Sequence, residues 1–299
     1  MTMTEPITWA GTARNFAHGV GQIFFQPNPA TGLLTLAGIA VWSVPMALMT
    51  ALGVAVATAS ARLVGVSTAQ GLQGYCGALV GAAAWTTFAH PWPAFLATVL
   101  GGAACPAVTK GLDLALTLGG TARAGLPVLT APFCVVSSLL VLLNQAIIPP
   151  AAPAPPAGLE GPPLLLLLQG ILAGISQVVL VESWLGGLLM LVGLCLAGWR
   201  VGLAAVLGSS LGAATALATG THVGTVAHGL AGFSPTLTAI ALAVVFLKPG
   251  WPAWLAAAVG SVVTVGAQAL LGLTPAPVFT WPFIVTTWLA LLVLRRQRR

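Results

Sequence analysis

Pro127-Val128-Leu129-Thr130-Ala131-Pro132-Phe133 returns 150 residues later as Pro277-Val278-Phe279-Thr280-Trp281-Pro282-Phe283. Two prolines five apart do not fit inside a continuous helix, because each removes a backbone donor and clashes with the preceding turn. The flanking residues are apolar, so the break falls at membrane depth. Non-helical backbone is tolerated there only where protein buries it or where it lines a cavity. One such break per half predicts two of them facing each other across a pseudo-twofold axis, with Thr130 and Thr280 on a shared path.

Working outward, two more stretches recur in the same order. Gln22-Ile23-Phe24-Phe25 returns as Gln177-Val178-Val179-Leu180, and Gly71-Leu72-Gln73-Gly74-Tyr75 as Gly229-Leu230-Ala231-Gly232-Phe233. Three matches at a nearly constant offset predict a duplicated chain. Between the copies, seven of the fifteen residues from Pro149 to Pro163 are proline, a composition that favours an extended, semi-rigid linker. The expected division is a first repeat over 1–148, the linker over 149–163 and a second repeat over 164–299.

Composition sets the solvent. Apolar residues make up 58% of the 299 residues and charged ones 5%, against about 25% charged in soluble domains. Mean hydropathy is +1.01. A water-facing surface cannot be built from so few charges, which excludes soluble enzymes, disordered tails and nucleic-acid binders. The chain reads as an all-α integral membrane protein. The net charge of +6 does not imply an acidic partner, since four of the ten basic residues sit in the last five positions, Arg295 to Arg299. Met1 to Ala17 lack the apolar stretch of a cleaved signal, so none is expected.

Apolar blocks fall at 33–61, 76–109, 131–148, 164–181, 185–218, 235–247, 252–273 and 280–294. A spanning helix needs about 20 residues, so 33–61 and 185–218 each read as two short helices. With five spans per repeat, the second repeat is inverted relative to the first. Placing the N-terminus in the cytoplasm then puts Arg14, Arg62, Lys110, Arg123, Arg200, Lys248 and the arginine tail all on the cytoplasmic side, with the linker and Glu160 outside. Both termini are thus expected to be cytoplasmic in a multi-pass cell-membrane protein. Inverted repeats with broken helices frame a central site in transporters and channels.

The four cysteines, Cys76, Cys105, Cys134 and Cys195, are far apart in apolar runs and read as packing residues. The four histidines show no metal-ligand spacing, and neither metal nor cofactor is expected. Gly77 and Gly81 form a G-x-x-x-G suited to close helix packing. Lys110 and Asp113 are spaced for a helical i,i+3 pair. Gly208-Ser209-Ser210-Leu211-Gly212 fits G-x-S-x-G, which marks a hydrolase only on a strand-to-helix elbow. Glu182 reads as a mouth residue or an intramembrane carboxylate.

With these motifs in place, the chain resembles the urea transporter family over essentially its whole length. The family's L-P-x-x-T-x-P-F stands intact at Leu126 to Phe133, and the second copy departs at Ala276. Its Q-x-x-F-x-x-N-P-x-x-G is matched by Gln22, Phe25, Asn28, Pro29 and Gly32. The second copy keeps Gln177 and Gly187 but carries Leu180, Ser183 and Trp184. Its G-L-x-G-Y/F-N is matched at Gly71 to Tyr75 and at Gly229 to Phe233, with Cys76 and Ser234 in place of the asparagines; Pro235-Thr236-Leu237-Thr238 continues the second copy.

The resemblance implies a passive, channel-like conductor of urea, built as a homotrimer in lipid with one pore per subunit; a bacterial member would occupy the inner membrane. It implies a tilted re-entrant half-helix per repeat, its N-terminus toward the pore. Phe25 and Leu180 would then be slot walls on the half-helices, Leu79 and Leu237 walls on partner helices, Gln22 and Gln177 polar groups at the mouths, and Thr130 and Thr280 the central constriction. Pro127, Pro132 and Phe133, with Pro277, Pro282 and Phe283, would shape the breaks.

Each residue also has a plainer reading. A membrane threonine often bonds its own i−4 carbonyl, the glutamines suit helix ends, and Phe25 and the three leucines suit ordinary packing. Rival activities are passage of another small neutral solute (ammonia, water or a short amide), proton-coupled transport, and intramembrane serine hydrolysis.

Overall fold

The computed structural model describes residues 9–88, 90–118, 125–147, 158–294, 296 and 298. Arg123, Arg295, Arg299 and residues 149–157 of the linker lie outside them. The described chain is helical throughout: α1 (Trp9–Gly21), α2 (Pro29–Trp42), α3 (Val44–Val64), α4 (Gly74–Phe88), α5 (Pro91–Leu118), α6 (Ala131–Ile147), α7 (Pro163–Ser176), α8 (Trp184–Ala197), α9 (Trp199–Ala218), α10 (Val223–Val226), α11 (Phe233–Ile240), α12 (Trp251–Leu271) and α13 (Trp281–Val293). α3, α5, α9 and α12 are each long and apolar enough to cross a membrane. Block 33–61 is two helices parted at Ser43, and 185–218 two parted at Gly198. Block 76–109, undivided on sequence grounds, is also two, α4 and α5.

Local chemistry explains the breaks. Asn28 caps α2, its side chain accepting from the amides of Ala30 and Thr31 at 2.9 and 3.2 Å, with Pro29 at the first helical position. Ser183 stands where Asn28 stands in the first copy and accepts from Gly186 N at 3.0 Å. The departure from the family motif therefore keeps the cap. Ser43 does the same for α3, accepting from Met46 N. Pro282 lies in the first turn of α13 and Pro132 is the second residue of α6, where a missing N–H costs nothing. The break thus lies before the second proline of each motif.

The two halves meet across α2 and α8. Thr31 Oγ1 donates to Gly193 O at 2.7 Å, while Gly38 and Gly186 approach so closely that a Cβ on Gly38 would lie 2.9 Å from Gly186 O. In the offset of the repeat, Thr31 corresponds to Gly186 and Gly38 to Gly193. Thr31 therefore touches the counterpart of Gly38, and Gly38 the counterpart of Thr31. Such a reciprocal, isologous contact requires a twofold axis. The two helices run antiparallel, so the axis is perpendicular to both and the halves are inverted.

Close packing also accounts for two sequence motifs. A Cβ on Gly77 would sit 2.1 Å from Gly53 O and one on Gly81 2.1 Å from Met49 O, so G-x-x-x-G seats α4 against α3. Gly208, the first glycine of G-x-S-x-G, corresponds to Gly53, and a Cβ there would lie 2.4 Å from Pro235 O. That motif lies inside α9 rather than on an elbow, with Ser209 Oγ donating to Ile171 O.

One end of the molecule gathers positive charge. Arg62 borders a small cavity with Thr12 and Asn15 of α1, Lys110 Nζ lies 3.5 Å from Val64 O, and Arg298 donates to Gly125 O. Leu247, next to Lys248, bridges to Arg298. The Lys110–Asp113 ion pair does not form; both residues line a cavity mouth instead.

Candidate functional site

The site is built from turns made twice. α1 passes into a short 3₁₀ turn, Gln22–Phe24, and the backbone reverses at Phe25; α7 does so through Gln177–Val179 at Leu180. Phe25 N donates to Gln22 O at 2.9 Å, as Leu180 N does to Gln177 O at 3.0 Å. Phe25 and Leu180 hold left-handed backbone, φ 61° and 63°, and Leu129 and Phe279, each just before a site threonine, do the same at 56° and 37°. Four bulky residues in this region cost about 1–3 kcal/mol each and mark functional geometry.

Across the second break α7 and α8 are bent by 76° relative to one another. At each break one helix ends and another begins: α1 and α7 arrive with their C-terminal ends, and α2 and α8 start from the Asn28 and Ser183 caps. The helices that begin at the centre are α6 and α13, starting directly after Thr130 and Thr280. They supply the positive ends of their dipoles there.

Both glutamines do the same job. Gln22 Nε2 donates to Gln70 O at 3.2 Å and Gln177 Nε2 to His228 O at 2.9 Å. The accepting residues precede Gly71 and Gly229, which hold φ of 74° and 80°. A Cβ on Gly71 would lie 2.2 Å from Gly19 N, and one on Gly229 2.4 Å from Ala173 C, so one loop presses backbone to backbone on α1 and the other on α7. Gln22 borders a cavity, whereas Gln177 is buried.

That cavity, about 530 Å³, opens at the basic end and is bordered by Gln22, Phe25, Tyr75, Lys110, Leu129 and Phe246, among others. Phe25 packs edge-on to Phe246 and tilted on Phe283, with ring centroids 5.9 Å apart in both pairs. The cavity ends at Leu129. Beyond it, Thr130 Oγ1 and Thr280 Oγ1 lie 2.7 Å apart, and Cys134 Sγ is 3.1 Å from Thr280 Oγ1. A residue that touches its own repeat counterpart sits on the twofold axis, so the two hydroxyls mark the centre of the molecule. Both threonines are buried.

The remaining expected residues divide. Leu79 and Leu237 are buried in the shared core and do not line this cavity. Leu180, in the second half, does not line it either. At the opposite end lies a cavity of about 230 Å³ beside Gln169, Glu182 and Trp184. Glu182 Oε1 is 2.6 Å from His228 Nδ1, with the carboxylate half-exposed at the edge of this cavity.

Four residues escaped the sequence reading as site members. Tyr75 OH donates to Leu129 O at 2.7 Å, and Trp288 Nε1 to Pro127 O at 2.8 Å. Two motif carbonyls are therefore already satisfied, as buried carbonyls must be. Tyr75 lies in the quoted G-L-x-G-Y stretch, and its second-copy counterpart Phe233 has no hydroxyl to give. Cys134, read as packing, bonds an axial threonine. Phe246 carried no signal: it closes a plain apolar run, yet that run ends in a π-helical stretch, Ala241–Phe246, a form often found at functional sites.

The family model for urea transporters matches residues 13–295. The chain belongs to the urea transporter family. Among similar relatives, urea transporter 1 of Mus musculus is 27% identical, over 93% of this chain and 76% of its own length. Urea transporter 1 of Ovis aries is 28% identical over the same shares, and so is that of Capra hircus. Membership of this family makes the chain a multi-pass membrane transporter rather than a hydrolase. It spans both doubled turns, the axial threonines and the cavity.

Proposed function

We propose that this urea transporter family member conducts urea passively, along a path from the 530 Å³ cavity, past Phe25, through the Thr130–Thr280 pair and out past Leu180. The observation that carries this reading is the axial contact of two threonine hydroxyls 2.7 Å apart between two left-handed breaks. Urea is flat and neutral, with four N–H donors and one carbonyl. Each hydrogen bond it loses to water and does not regain costs about 1–3 kcal/mol. Two rotatable hydroxyls exchange their mutual bond for bonds to urea, and Phe25, Leu79, Leu180 and Leu237 form walls that admit a thin solute. Gln22 and Gln177 hold the loops at the two ends. The N-termini of α6 and α13, each worth about half a positive charge, repel cations at the centre.

The same reading divides the chain into inverted copies, 1–148 and 164–299, joined by an extracellular linker at 149–163. The basic end, with both termini, faces the cytoplasm of a cell whose inner membrane holds the protein as a homotrimer. The relatives named urea transporter 1 support urea as the solute. Among the described residues the Glu182–His228 pair lies at one end rather than on the axis, which favours an uncoupled path.

Osmotic shrinkage of proteoliposomes tests the proposal. Urea entry is expected to be fast, non-saturating and indifferent to a proton gradient, with glycerol entering slowly. Gradient-driven urea accumulation overturns passivity; glycerol or ammonia passing in preference to urea overturns the cargo.

A further inference from the structure

A second cavity, about 450 Å³ and almost wholly apolar, runs along the outer side of α12 and α13, between Leu255, Val259 and Val263 on one wall and Leu289, Val293 and Leu294 on the other. Its end at the basic face is marked by Leu247 and Pro252. Lys248, one residue past Leu247, is exposed, as are Arg296, two past Leu294, and Trp251, beside Pro252. Tryptophan at this position is typical of the headgroup level.

From these features we propose that the groove holds one acyl chain of an anionic phospholipid, with the phosphate on Lys248 and Arg296. Length selects this occupant. From Pro252 to Val263 the wall of α12 is about 17 Å long at 1.5 Å per residue, close to half the roughly 30 Å hydrocarbon core. A transmembrane helix of a second copy needs a groove through both leaflets; an acyl chain needs one through a single leaflet, starting at the headgroups. Charge selects among lipids, since basic residues at the cytoplasmic end of a cleft between helices favour anionic headgroups. The site also touches the path. Leu247 lines the groove while its neighbour Phe246 lines the inner cavity, and α13 carries Thr280 at its start.

Native mass spectrometry of the purified full chain, titrated with phosphatidylglycerol or phosphatidylcholine, tests this without reference to urea flux. One phosphatidylglycerol per chain is expected to survive detergent that strips phosphatidylcholine. The Lys248→Gln, Arg296→Gln double variant is expected to lose about 30-fold in that preference, the worth of two basic side chains at a membrane surface. Val259→Trp, filling the groove, is expected to lose both lipids, and an unchanged elution profile confirms that it folds. Equal retention of the two lipids, or a preference that survives the double variant, overturns the proposal. A Val259→Cys variant that cross-links to a neighbouring copy also overturns it, because a second chain then occupies the groove.

Discussion

At the residue scale, the axial threonines carry the chemistry and their surroundings set its asymmetry. Thr130 and Thr280 bond one another, so replacing either by valine breaks that bond and removes one of the two hydroxyls available to urea. Urea permeability of Thr130→Val or Thr280→Val is expected to fall about 10-fold, corresponding to one lost hydrogen bond of roughly 1.4 kcal/mol. Thr130→Ser should retain most of the flux; equal loss in the serine and valine variants would point to packing rather than hydroxyl chemistry. Phe25 and Leu180 share one backbone conformation but not one side chain. Leu180→Phe is expected to slow N-methylurea more than urea in stopped-flow shrinkage, and Phe25→Leu to do the reverse. An unchanged ratio in both variants argues against the slot.

At the element scale, the doubled turns explain what was legible in the sequence. The prolines announced the breaks at 127–132 and 277–282, because ring constraints act locally. The 76° bend between α7 and α8 was not legible, since a bent pair and a straight span share the same composition. Nor was Phe246, which ends a π-helical stretch and meets Phe25 from the other half of the chain. Gly71 and Gly229 were visible as repeats, but their role is a close approach of their loops to α1 and α7. Gly71→Ala and Gly229→Ala are each expected to cost about 2 kcal/mol or more, through both the clash and the positive φ. A fall in the midpoint of heat-induced aggregation in detergent checks this. Phe246→Ala is expected to leave urea flux intact and to admit alkylated ureas faster. Loss of urea flux without any change in selectivity would instead make Phe246 a structural support.

At the scale of the whole molecule, the reciprocal contacts Thr31–Gly193 and Gly38–Gly186 turn a sequence repeat into an inverted pair. Arg62, Lys110, Lys248 and Arg298 then collect at one end although they come from both halves. Charge alone suggested this grouping in the sequence, because retention of Lys and Arg on the cytoplasmic side acts on each loop separately. In intact cells, with Cys195 replaced by alanine, Glu160→Cys is expected to react with a membrane-impermeant thiol reagent. Lys248→Cys should react only after permeabilisation. The opposite pattern reverses the proposed orientation.

The unequal furnishing of two equivalent halves has a kinetic consequence. Microscopic reversibility forbids a passive path from favouring one direction when concentrations are equal, however different its ends. Blockers are under no such restriction. A flat aromatic amide that stacks between Phe25 and Phe246 finds no matching pair at Leu180. It should arrest flux when applied from the basic end and leave it nearly untouched when applied from the other.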